Sequence, residues 1–303
     1  MSGYRSGFVS VLGRPNAGKS TLVNALVGTK VSIVADKPQT TRTAIQGVLT
    51  RPDAQVIFVD TPGIHKSDTA INKRMMDAVR ASLEERDLFV FVVDATRPFT
   101  PEDERAISIL SENGPPVILA LNKIDALPSK EPLLLLIEEY RNRRVFAEYL
   151  PLSAAKGEGV DELRDEIIQR LPEGPQYFPP DQVTDQPARF LAAELIREKI
   201  LIATRNEVPH STTVMIERWE ESPKLIRIFA TIFVEREGQK AIVIGSKGAM
   251  LKQIGTLARE EMEALFGTRI FLDMHVKVSP DWRRKRSFLD TLDWRTMAPG
   301  DES

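Results

Sequence analysis

The sequence contains no cysteine and only three histidines, and it has no long hydrophobic run. Without cysteine, disulfides, thiolate metal sites and cysteine nucleophiles are excluded. His65, His210 and His275 stand too far apart to suggest a shared set of metal ligands, so we expect ordinary packing or surface residues. The apolar stretch from Leu133 to Ile137 is far too short to cross a bilayer.

Little net charge is present either, since the formal value is −2 over 303 residues. This balance neither favours nor excludes a nucleic-acid partner, so any such partner must be argued from local patterns. The length is sufficient for about two domains. Residues 1–7 are polar and lead directly into an apolar run, so we expect no signal peptide and a cytoplasmic protein. We expect a monomer, and the sequence leaves peripheral membrane contact open.

A glycine-rich stretch interrupts the first apolar run. Phe8 to Leu12 is followed by G-R-P-N-A-G-K-S, and apolar residues resume at Leu22, which predicts a strand, a phosphate loop and a helix rather than a plain turn. Glycine lets successive N–H groups turn toward phosphate oxygens at a helix N-terminus. Lys19 is expected to reach the β- and γ-phosphates, and the Ser20 hydroxyl to bind Mg²⁺. The candidate nucleotide-binding residues here are Gly13, Arg14, Asn16, Ala17, Gly18, Lys19, Ser20 and Thr21.

A polar loop at residues 28–42 is interrupted by proline and ends near Thr40 and Thr41. Two adjacent threonines are also typical of the start of a strand, and that reading stays open here. The functional reading is that the Thr41 hydroxyl completes the coordination of Mg²⁺ when a γ-phosphate is present.

The next two apolar runs, 44–49 and 56–59, predict strands, and the second ends in D-T-P-G. An aspartate at the carboxyl end of a buried strand, here Asp60, can hold Mg²⁺ through water. The Gly63 amide is placed to sense the γ-phosphate. Ser20, Thr41 and Asp60 are thus the predicted metal residues, and Lys19, Thr41 and Gly63 the predicted catalytic ones.

Two wholly apolar strands are predicted at 88–94 and 117–121, and the second ends in N-K-I-D. The Asp125 carboxylate can accept both the ring N–H and the exocyclic amine of guanine, an arrangement that adenine does not offer. Asn122 and Lys123 are expected to brace the loop and to cover the base.

A last strand is predicted at 146–152, directly before S-A-A-K. In this loop the Ala154 amide is expected to donate to the guanine carbonyl oxygen, with Ser153 and Ala155 beside it. The order G-x-x-x-x-G-K-S, T-T, D-T-P-G, N-K-I-D, S-A-A-K resembles the translation-factor-related GTPases. The resemblance implies an α/β P-loop GTPase domain with a doubly wound, mostly parallel sheet.

One residue departs from the Ras-like form of this pattern. Ile64 follows D-T-P-G where Ras-like enzymes carry a glutamine that orients water. Either backbone groups position the water and intrinsic turnover is slow, or K⁺ neutralises charge in the transition state. The second reading depends on Asn16, which matches the P-N-x-G-K-S loop of K⁺-using GTPases.

Four prolines within residues 172–180 predict a stiff linker and a domain boundary. A helix at 187–204 and strands at 212–219 and 225–236 follow, and Gly238-Gln239 is predicted to form a turn after the second strand.

The stretch V-I-G-S-K-G-A-M-L-K-Q-I, residues 243–254, resembles the K-homology signature V-I-G-x-x-G-x-x-x-x-x-I. Its glycines let the backbone approach a nucleic acid strand, while Ser246 and Lys247 face phosphates. A helix at 256–266 and a strand at 269–278 complete the α-β-β-α-α-β order of an α+β K-homology domain of type II. An ordinary helix–turn–helix connection is the alternative reading of G-x-x-G.

A basic run, R-R-K-R, follows Trp282. It is either a solvated helix face or an edge that contacts phosphates while Trp282 packs on the domain. The candidate RNA-binding residues are Ile244, Gly245, Ser246, Lys247, Gly248, Lys252, Arg283, Arg284 and Lys285.

A GTPase domain followed by a K-homology domain, with E-L-I-R-E-K at 194–199 and V-P-H-S at 208–211, resembles the Era family of bacterial GTPases from Phe8 to about Arg286. The resemblance implies GTP hydrolysis, Mg²⁺, and binding of small-subunit ribosomal RNA near its 3′ end during 30S assembly. It predicts a GTPase domain at 1–175, a linker at 176–187, a K-homology domain at 188–287 and a tail at 288–303. The tail departs from the family's usual ending, so residues from Trp294 onward receive no function.

Two other classes of function stay open. In the first, the protein is a non-catalytic RNA-binding adaptor with a structural nucleotide, which lacks turnover that RNA stimulates. In the second, it is an RNA-modification GTPase that hands its substrate to a partner enzyme. The second is disfavoured because such proteins usually lack G-x-x-G, and no modification chemistry is evident in the sequence.

Overall fold

The computed structural model describes residues 3–37, 39–64, 69–129, 131–204 and 208–293. His65 and the tail from Trp294 lie outside the described residues. Two compact units are present. The described residues of Met1–Val34, Thr41–Ser67 and Asn72–Asp185 form the first unit, and those of Ala35–Thr40, Asp68–Ile71 and Gln186–Ser303 form the second.

A six-stranded sheet in the order β2-β3-β1-β4-β5-β6 forms the centre of the first unit. Among the described strand pairs of this sheet only β2–β3 is antiparallel, so the predicted doubly wound, mostly parallel sheet is confirmed. The strands are β1 Arg5–Leu12, β2 Ile45–Thr50, β3 Ala54–Asp60, β4 Leu88–Asp94, β5 Val117–Asn122 and β6 Glu148–Pro151. The helices are α1 Lys19–Val27, α2 Ala70–Ala81, α3 Pro101–Ile107, α4 Glu131–Arg141 and α5 Val160–Arg170.

Both faces of this sheet are covered, which explains why β3 and β4 are apolar and buried at almost every position. Alternate strand residues belong to two separate hydrophobic clusters. Val90 and Val92 lie in the cluster that includes α1 and α5, whereas Phe89 and Phe91 lie in the cluster that includes α3 and α4. The register pairs Asp94 with Asn122, so polar residues at the carboxyl ends of β4 and β5 lie side by side.

The proline-rich stretch after α5 packs along the edge strand of the first unit. The amides of Tyr177 and Phe178 donate to Gln55 Oε1 at 2.7 and 2.9 Å, and the Val48 amide donates to Val183 O at 2.8 Å. The bonds to Gln55 hold this stretch against β3, and the Val48 bond pairs a backbone amide of β2, whose outer edge would otherwise be open to other strands.

The second unit contains a three-stranded sheet in the order β7-β8-β9, antiparallel between β7 and β8 and parallel between β8 and β9. Its elements are α6 Ala188–Ala203, β7 Thr213–Ser222, β8 Leu225–Val234, α7 Glu237–Ile244, α8 Ala249–Phe266, β9 Arg269–Val278 and α9 Arg286–Thr291. The predicted α-β-β-α-α-β order is therefore confirmed.

The predicted turn at Gly238-Gln239 is wrong, because both residues lie inside α7. The Gln239 side chain accepts hydrogen bonds from the Glu235 and Arg236 amides at 2.9 and 3.0 Å. These bonds satisfy amides at the helix N-terminus, and α7 thus begins almost directly after β8.

The end of the described chain packs on the second unit. The Trp282 ring is buried, and its Nε1 donates to Ser211 O at 2.9 Å. Phe288 meets Phe233 edge to face at 5.0 Å between ring centroids, and Leu289 is buried. The first residues of the predicted tail therefore form α9. In the part of the chain that the structure describes, no helix combines the length and apolar character needed to cross a membrane.

Candidate functional site

The phosphate loop lies between β1 and α1, and two of its glycines are required by the backbone. Gly13 has φ of 141°, and a Cβ there would lie 2.3 Å from Val92 O. Gly18 has φ of 94°, and a Cβ there would lie 2.2 Å from Asn122 Nδ2. The close approach of both glycines lets the loop curl in front of the α1 N-terminus, where amides favour an anion.

Lys19 is buried in this loop, with 6% of its surface exposed. Its Nζ donates to Gly13 O at 3.1 Å and to Arg14 O at 2.9 Å. Burial lowers the pKa of Lys19 to about 8, against a smaller opposing effect of Asp60. The two carbonyls carry only partial negative charge, so a bound phosphate would stabilise the Lys19 ammonium more strongly than they do.

The three predicted metal residues lie together. Ser20 Oγ lies 2.7 Å from Asp60 Oδ2 and 2.9 Å from Thr41 Oγ1, and Thr41 Oγ1 lies 3.2 Å from Asp60 Oδ2. Burial raises the pKa of Asp60, although the hydroxyls of Ser20, Ser32 and Thr41 and the Lys19 charge oppose it. Among the described residues, buried Asp60 Oδ1 has no hydrogen-bond partner. An all-oxygen cluster with an unsatisfied carboxylate oxygen fits Mg²⁺.

The D-T-P-G loop contacts the phosphate loop directly. Thr61 Oγ1 donates to Val11 O at 2.7 Å, and a Cβ at Gly63 would lie 2.7 Å from Pro15 Cα. The Ile64 amide donates to Gly13 O at 3.3 Å, and its side chain is buried in a hydrophobic cluster with Val79 and Phe91. Ile64 therefore has a packing role and no group that could orient water.

The N-K-I-D loop braces the phosphate loop through two side chains. Asn122 Nδ2 donates to Ala17 O at 2.9 Å, and Lys123 Nζ donates to Asn16 O at 2.8 Å. Lys123 also pairs with Asp94 Oδ2 at 2.8 Å. Burial alone would raise the pKa of Asp94, but the hydrogen bonds from Lys123 and Thr96 outweigh it and hold this pKa below its usual range.

Asp94 is a site residue that sequence reasoning missed. It ends an apolar strand just as Asp60 does, and that parallel is the signal that could have identified it.

The residues predicted to contact the guanine base differ from one another in exposure. Asp125 lies in a short 3₁₀ helix, Ile124–Ala126, and is exposed. The Ala154 amide donates to Asn122 Oδ1 at 2.9 Å. The N–H group predicted to donate to guanine is therefore already hydrogen-bonded to a side chain of the N-K-I-D loop. Ser153 is buried and Ala155 is exposed.

Arg14, predicted as a nucleotide residue, directs its side chain elsewhere. Its NH1 group pairs with Asp103 Oδ2 at 3.0 Å, in α3. Any contact of Arg14 with the nucleotide would therefore come from its backbone. Thr21 is half-buried in α1, and Asn16 has φ of 62°.

The G-x-x-G loop joins α7 to α8 in the second unit. Gly245 has φ of 73°, and a Cβ there would lie 2.7 Å from Met250 Cβ. Gly248 has φ of 78°, and a Cβ there would meet no described atom within 4 Å, so its surroundings are open. Ser246 and Lys247 between them are exposed, which leaves the backbone and both side chains accessible to a ligand.

A groove of about 390 Å³ runs from this loop along α8 and β9. Apolar and basic side chains both contribute to it, which is the composition that unstacked bases and their phosphates require. Its lining residues are Gly248, Leu251, Lys252, Gly255, Thr256, Arg259, Leu272 and Met274. Lys252, a predicted RNA residue, is exposed at this groove, whereas Ile244 at the end of α7 is half-buried.

The residues of the basic run after β9 differ in exposure. Arg283 pairs with Glu235 Oε2 at 2.5 Å and is half-buried, whereas Arg284, Lys285 and Arg286 are exposed. Of the three residues predicted for RNA in this run, Arg284 and Lys285 therefore present their charge to solvent, along the segment that Trp282 anchors.

Family models match both units. The family described as 50S ribosome-binding GTPase matches residues 8–123, and the KH domain family matches residues 207–283. A GTPase Era of Syntrophus aciditrophicus is 50% identical over 283 residues, which cover 93% of this chain and 92% of that protein. A GTPase Era of Leuconostoc citreum is 47% identical over 294 residues, covering 96% and 97%.

Two solved structures are similar over nearly the whole chain. One is an Aquifex aeolicus Era variant bound to GDP·AlF₄⁻, with a TM-score of 0.92, 42% identity, and coverage of 96% of this chain and 99% of that one. The other is Era in complex with MgGDPNP and nucleotides 1506–1542 of 16S ribosomal RNA, with the same score, identity and coverage.

Proposed function

The chain belongs to the Era family of GTPases, and on that premise we propose that it binds small-subunit ribosomal RNA near its 3′ end and assists assembly of the 30S subunit. As a member of the family it hydrolyses GTP. One observation carries the proposal: a braced phosphate loop with an all-oxygen metal cluster and an exposed G-x-x-G loop beside an open groove occur on the same chain.

In the GTPase domain, proposed to span residues 1–175, the loop amides and Lys19 bind the phosphates. Ser20 and Thr41 would hold Mg²⁺ through their hydroxyls, and Asp60 through water. When bound there, Mg²⁺ supplies positive charge that stabilises the phosphate oxygens during transfer. The distances among these three side chains support the assignment, since each lies within 3.2 Å of another.

Base selection is assigned to Asp125, whose carboxylate would accept both guanine N–H donors. Its exposure leaves room for a base, and the bonds of Asn122 and Lys123 fix the loop on which it stands. A guanine contact by the Ala154 amide would be shared with Asn122.

Intrinsic hydrolysis is proposed to be slow, because buried Ile64 offers no group that orients water. We include K⁺ as a second cation, with Asn16 as its ligand. Asn16 has left-handed backbone, and Lys123 holds its carbonyl, so its backbone stands at a fixed place in the loop. A higher GTPase rate in KCl than in NaCl at equal ionic strength is expected, and equal rates would remove K⁺ from the proposal.

The switch is proposed to act through residues 35–40, which belong to the same compact unit as α6. The buried Arg197 guanidinium donates to the carbonyls of Gln39 and Thr40. Thr41, the next residue, is a proposed metal ligand that responds to the γ-phosphate. If GTP changes the position of Thr41, RNA affinity depends on the nucleotide, and RNA in turn changes nucleotide affinity.

The K-homology domain, proposed to span residues 188–287 after a linker at 176–187, binds RNA at the G-x-x-G loop. Exposed Ser246 and Lys247 face phosphates, and the groove beside Lys252 takes bases. Arg284 and Lys285 extend the basic edge. We further propose that the protein acts as a cytoplasmic monomer that cycles between GTP and GDP.

RNA binding is tested with a fragment from the 3′ end of small-subunit ribosomal RNA. Lys247→Glu is expected to weaken binding about tenfold or more, since a phosphate contact becomes a repulsion. Its matched control is Lys224→Glu, the same charge change at an exposed residue of the β7–β8 turn. GTP binding should stay unchanged in both variants, and wild-type RNA affinity in Lys247→Glu would contradict the proposal.

Turnover separates this proposal from an RNA-binding adaptor with a structural nucleotide. We expect wild-type protein to release phosphate from GTP above background and to do so faster with the RNA fragment. Absence of both effects would favour the adaptor.

A further inference from the structure

Arg14 occupies the middle of the phosphate loop, yet its side chain is buried away from solvent, with 7% of its surface exposed. Its NH1 group lies 3.0 Å from Asp103 Oδ2 and 3.3 Å from Thr100 Oγ1. Asp103 is itself only 1% exposed. Two opposite charges therefore meet in the interior, where an unpaired partner would be strongly unfavourable.

Asp103 is held in place by further donors. The Thr100 amide and hydroxyl donate to Asp103 Oδ2 at 2.9 and 2.7 Å, which caps the first turn of α3. The buried Tyr140 hydroxyl of α4 also bonds to Asp103, and burial together with this carboxylate raises the pKa of Tyr140. Tyr140 thus stays a neutral donor, and its ring packs against Phe99 at 5.0 Å. Arg14 is in this way tied to both α3 and α4.

The backbone of the same residue faces the nucleotide side. Arg14 O accepts from Lys19 Nζ at 2.9 Å, and the preceding Gly13 O accepts from both Lys19 Nζ and the Ile64 amide. The following Pro15 is the surface against which Gly63 lies. Residues 13–15 therefore set the positions of Lys19 and Gly63, and the Arg14 side chain is the anchor of this segment.

We propose that Arg14 is a positioning residue for GTP binding, acting through its buried pair with Asp103 rather than through contact with the nucleotide. The pair holds the first half of the phosphate loop in the shape that receives phosphates. This inference rests on the GTP site of the proposed function. It assigns a role to Asp103 and Tyr140, which lie in helices outside the nucleotide motifs.

A double-mutant cycle on GDP affinity tests the inference, with the free energy of unfolding measured on the same proteins. Arg14→Gln and Asp103→Asn are each expected to weaken GDP binding about tenfold. The double variant should bind GDP about as tightly as the weaker-binding of the two single variants, because either change alone already breaks the Arg14–Asp103 pair. Additive losses would show that the two residues act on GDP binding independently of each other, and that result would overturn the inference.

Two milder variants guard against loss of folding. Arg14→Lys keeps the charge and one donor, so it should recover most of the affinity lost in Arg14→Gln. Tyr140→Phe removes only a hydroxyl, and we expect a loss of about threefold. The matched control is Arg80→Gln, which breaks an exposed pair with Asp77 in α2 and should leave GDP affinity unchanged.

The outcomes separate a positioning role from a purely structural one. Lower stability with unchanged GDP affinity of the folded Arg14→Gln protein would show a structural role and overturn the inference alone. Wild-type protein that bound no GDP would overturn the proposed function, and the inference with it.

Discussion

The two glycine-containing loops use the same backbone freedom for opposite purposes. In the phosphate loop, Gly18 is pressed against Asn122, and the loop's buried polar groups are held by partners inside the first unit. In the G-x-x-G loop, Gly248 has open space around it, and Ser246 and Lys247 are exposed to solvent. The phosphate loop, a site for a small anion, is thus enclosed by contacts with its own domain. The G-x-x-G loop, a site for a long strand, is exposed to solvent.

The strongest test of this contrast compares two glycine-to-alanine changes. Gly18→Ala should reduce GDP affinity by about a hundredfold or more, because the new Cβ must displace Asn122 and strain the loop. Gly248→Ala carries backbone strain but meets no neighbour, so it should cost about 1 kcal/mol of stability and leave GDP affinity unchanged. Calorimetric titration with GDP measures both variants, and similar losses of affinity in the two would contradict the contrast.

A second test concerns the exposed part of the nucleotide site. Asp125→Asn should shift preference from guanine to xanthine nucleotides by about a hundredfold, since the amide donates where the carboxylate accepted. Competition between GDP and XDP for the variant measures the shift. Asp165→Asn, at an exposed residue of α5, is the matched control and should keep the preference for guanine. Retained guanine selectivity in Asp125→Asn would refute the role in base reading.

Burial of the phosphate loop also predicts a pH dependence. The pKa of Lys19 is about 8 in the folded protein, against 10.5 without burial. Between these values the unfolded chain holds the proton and the folded chain does not, so stability rises with pH through this window. From pH 7 to pH 9 the Lys19 contribution to the free energy of unfolding should rise by about 1 kcal/mol.

Denaturant unfolding of wild type and Lys19→Met at both pH values isolates this contribution from other titrating groups. The difference between the two proteins should change by about 1 kcal/mol. A difference independent of pH would show that Lys19 keeps its ordinary pKa in the folded protein.

Much of both sites could be predicted because most of the motifs follow a strand or open a helix. Parallel β1 and β3 bring their carboxyl ends, and so Ser20 and Asp60, to one edge of the sheet. Thr41 lies there too because β2 is antiparallel to β3 and begins at that edge. The partners of Arg14 and Lys123 could not be predicted, since Asp103 and Asp94 lie 89 and 29 positions away. Their proximity depends on strand order and helix placement, which no local pattern encodes.

Predictions from local sequence patterns were also incomplete where a side chain hydrogen-bonds to backbone amides. Gly238-Gln239 has the composition of a turn, but the Gln239 side chain caps α7 and extends the helix through it. Likewise, the Ala154 amide follows the expected motif, yet the Asn122 side chain accepts its hydrogen bond.

The central claim is that nucleotide state controls RNA binding through residues 35–40. The decisive measurement is the affinity for the 3′-end RNA fragment with GDP and with a non-hydrolysable GTP analogue, at one stated salt concentration. We expect tighter binding with the analogue in wild type, and a smaller difference in Arg197→Gln, which weakens the hold on the Gln39 and Thr40 carbonyls. Equal affinity in both nucleotide states of the wild type would contradict the account and leave two independent modules on one chain.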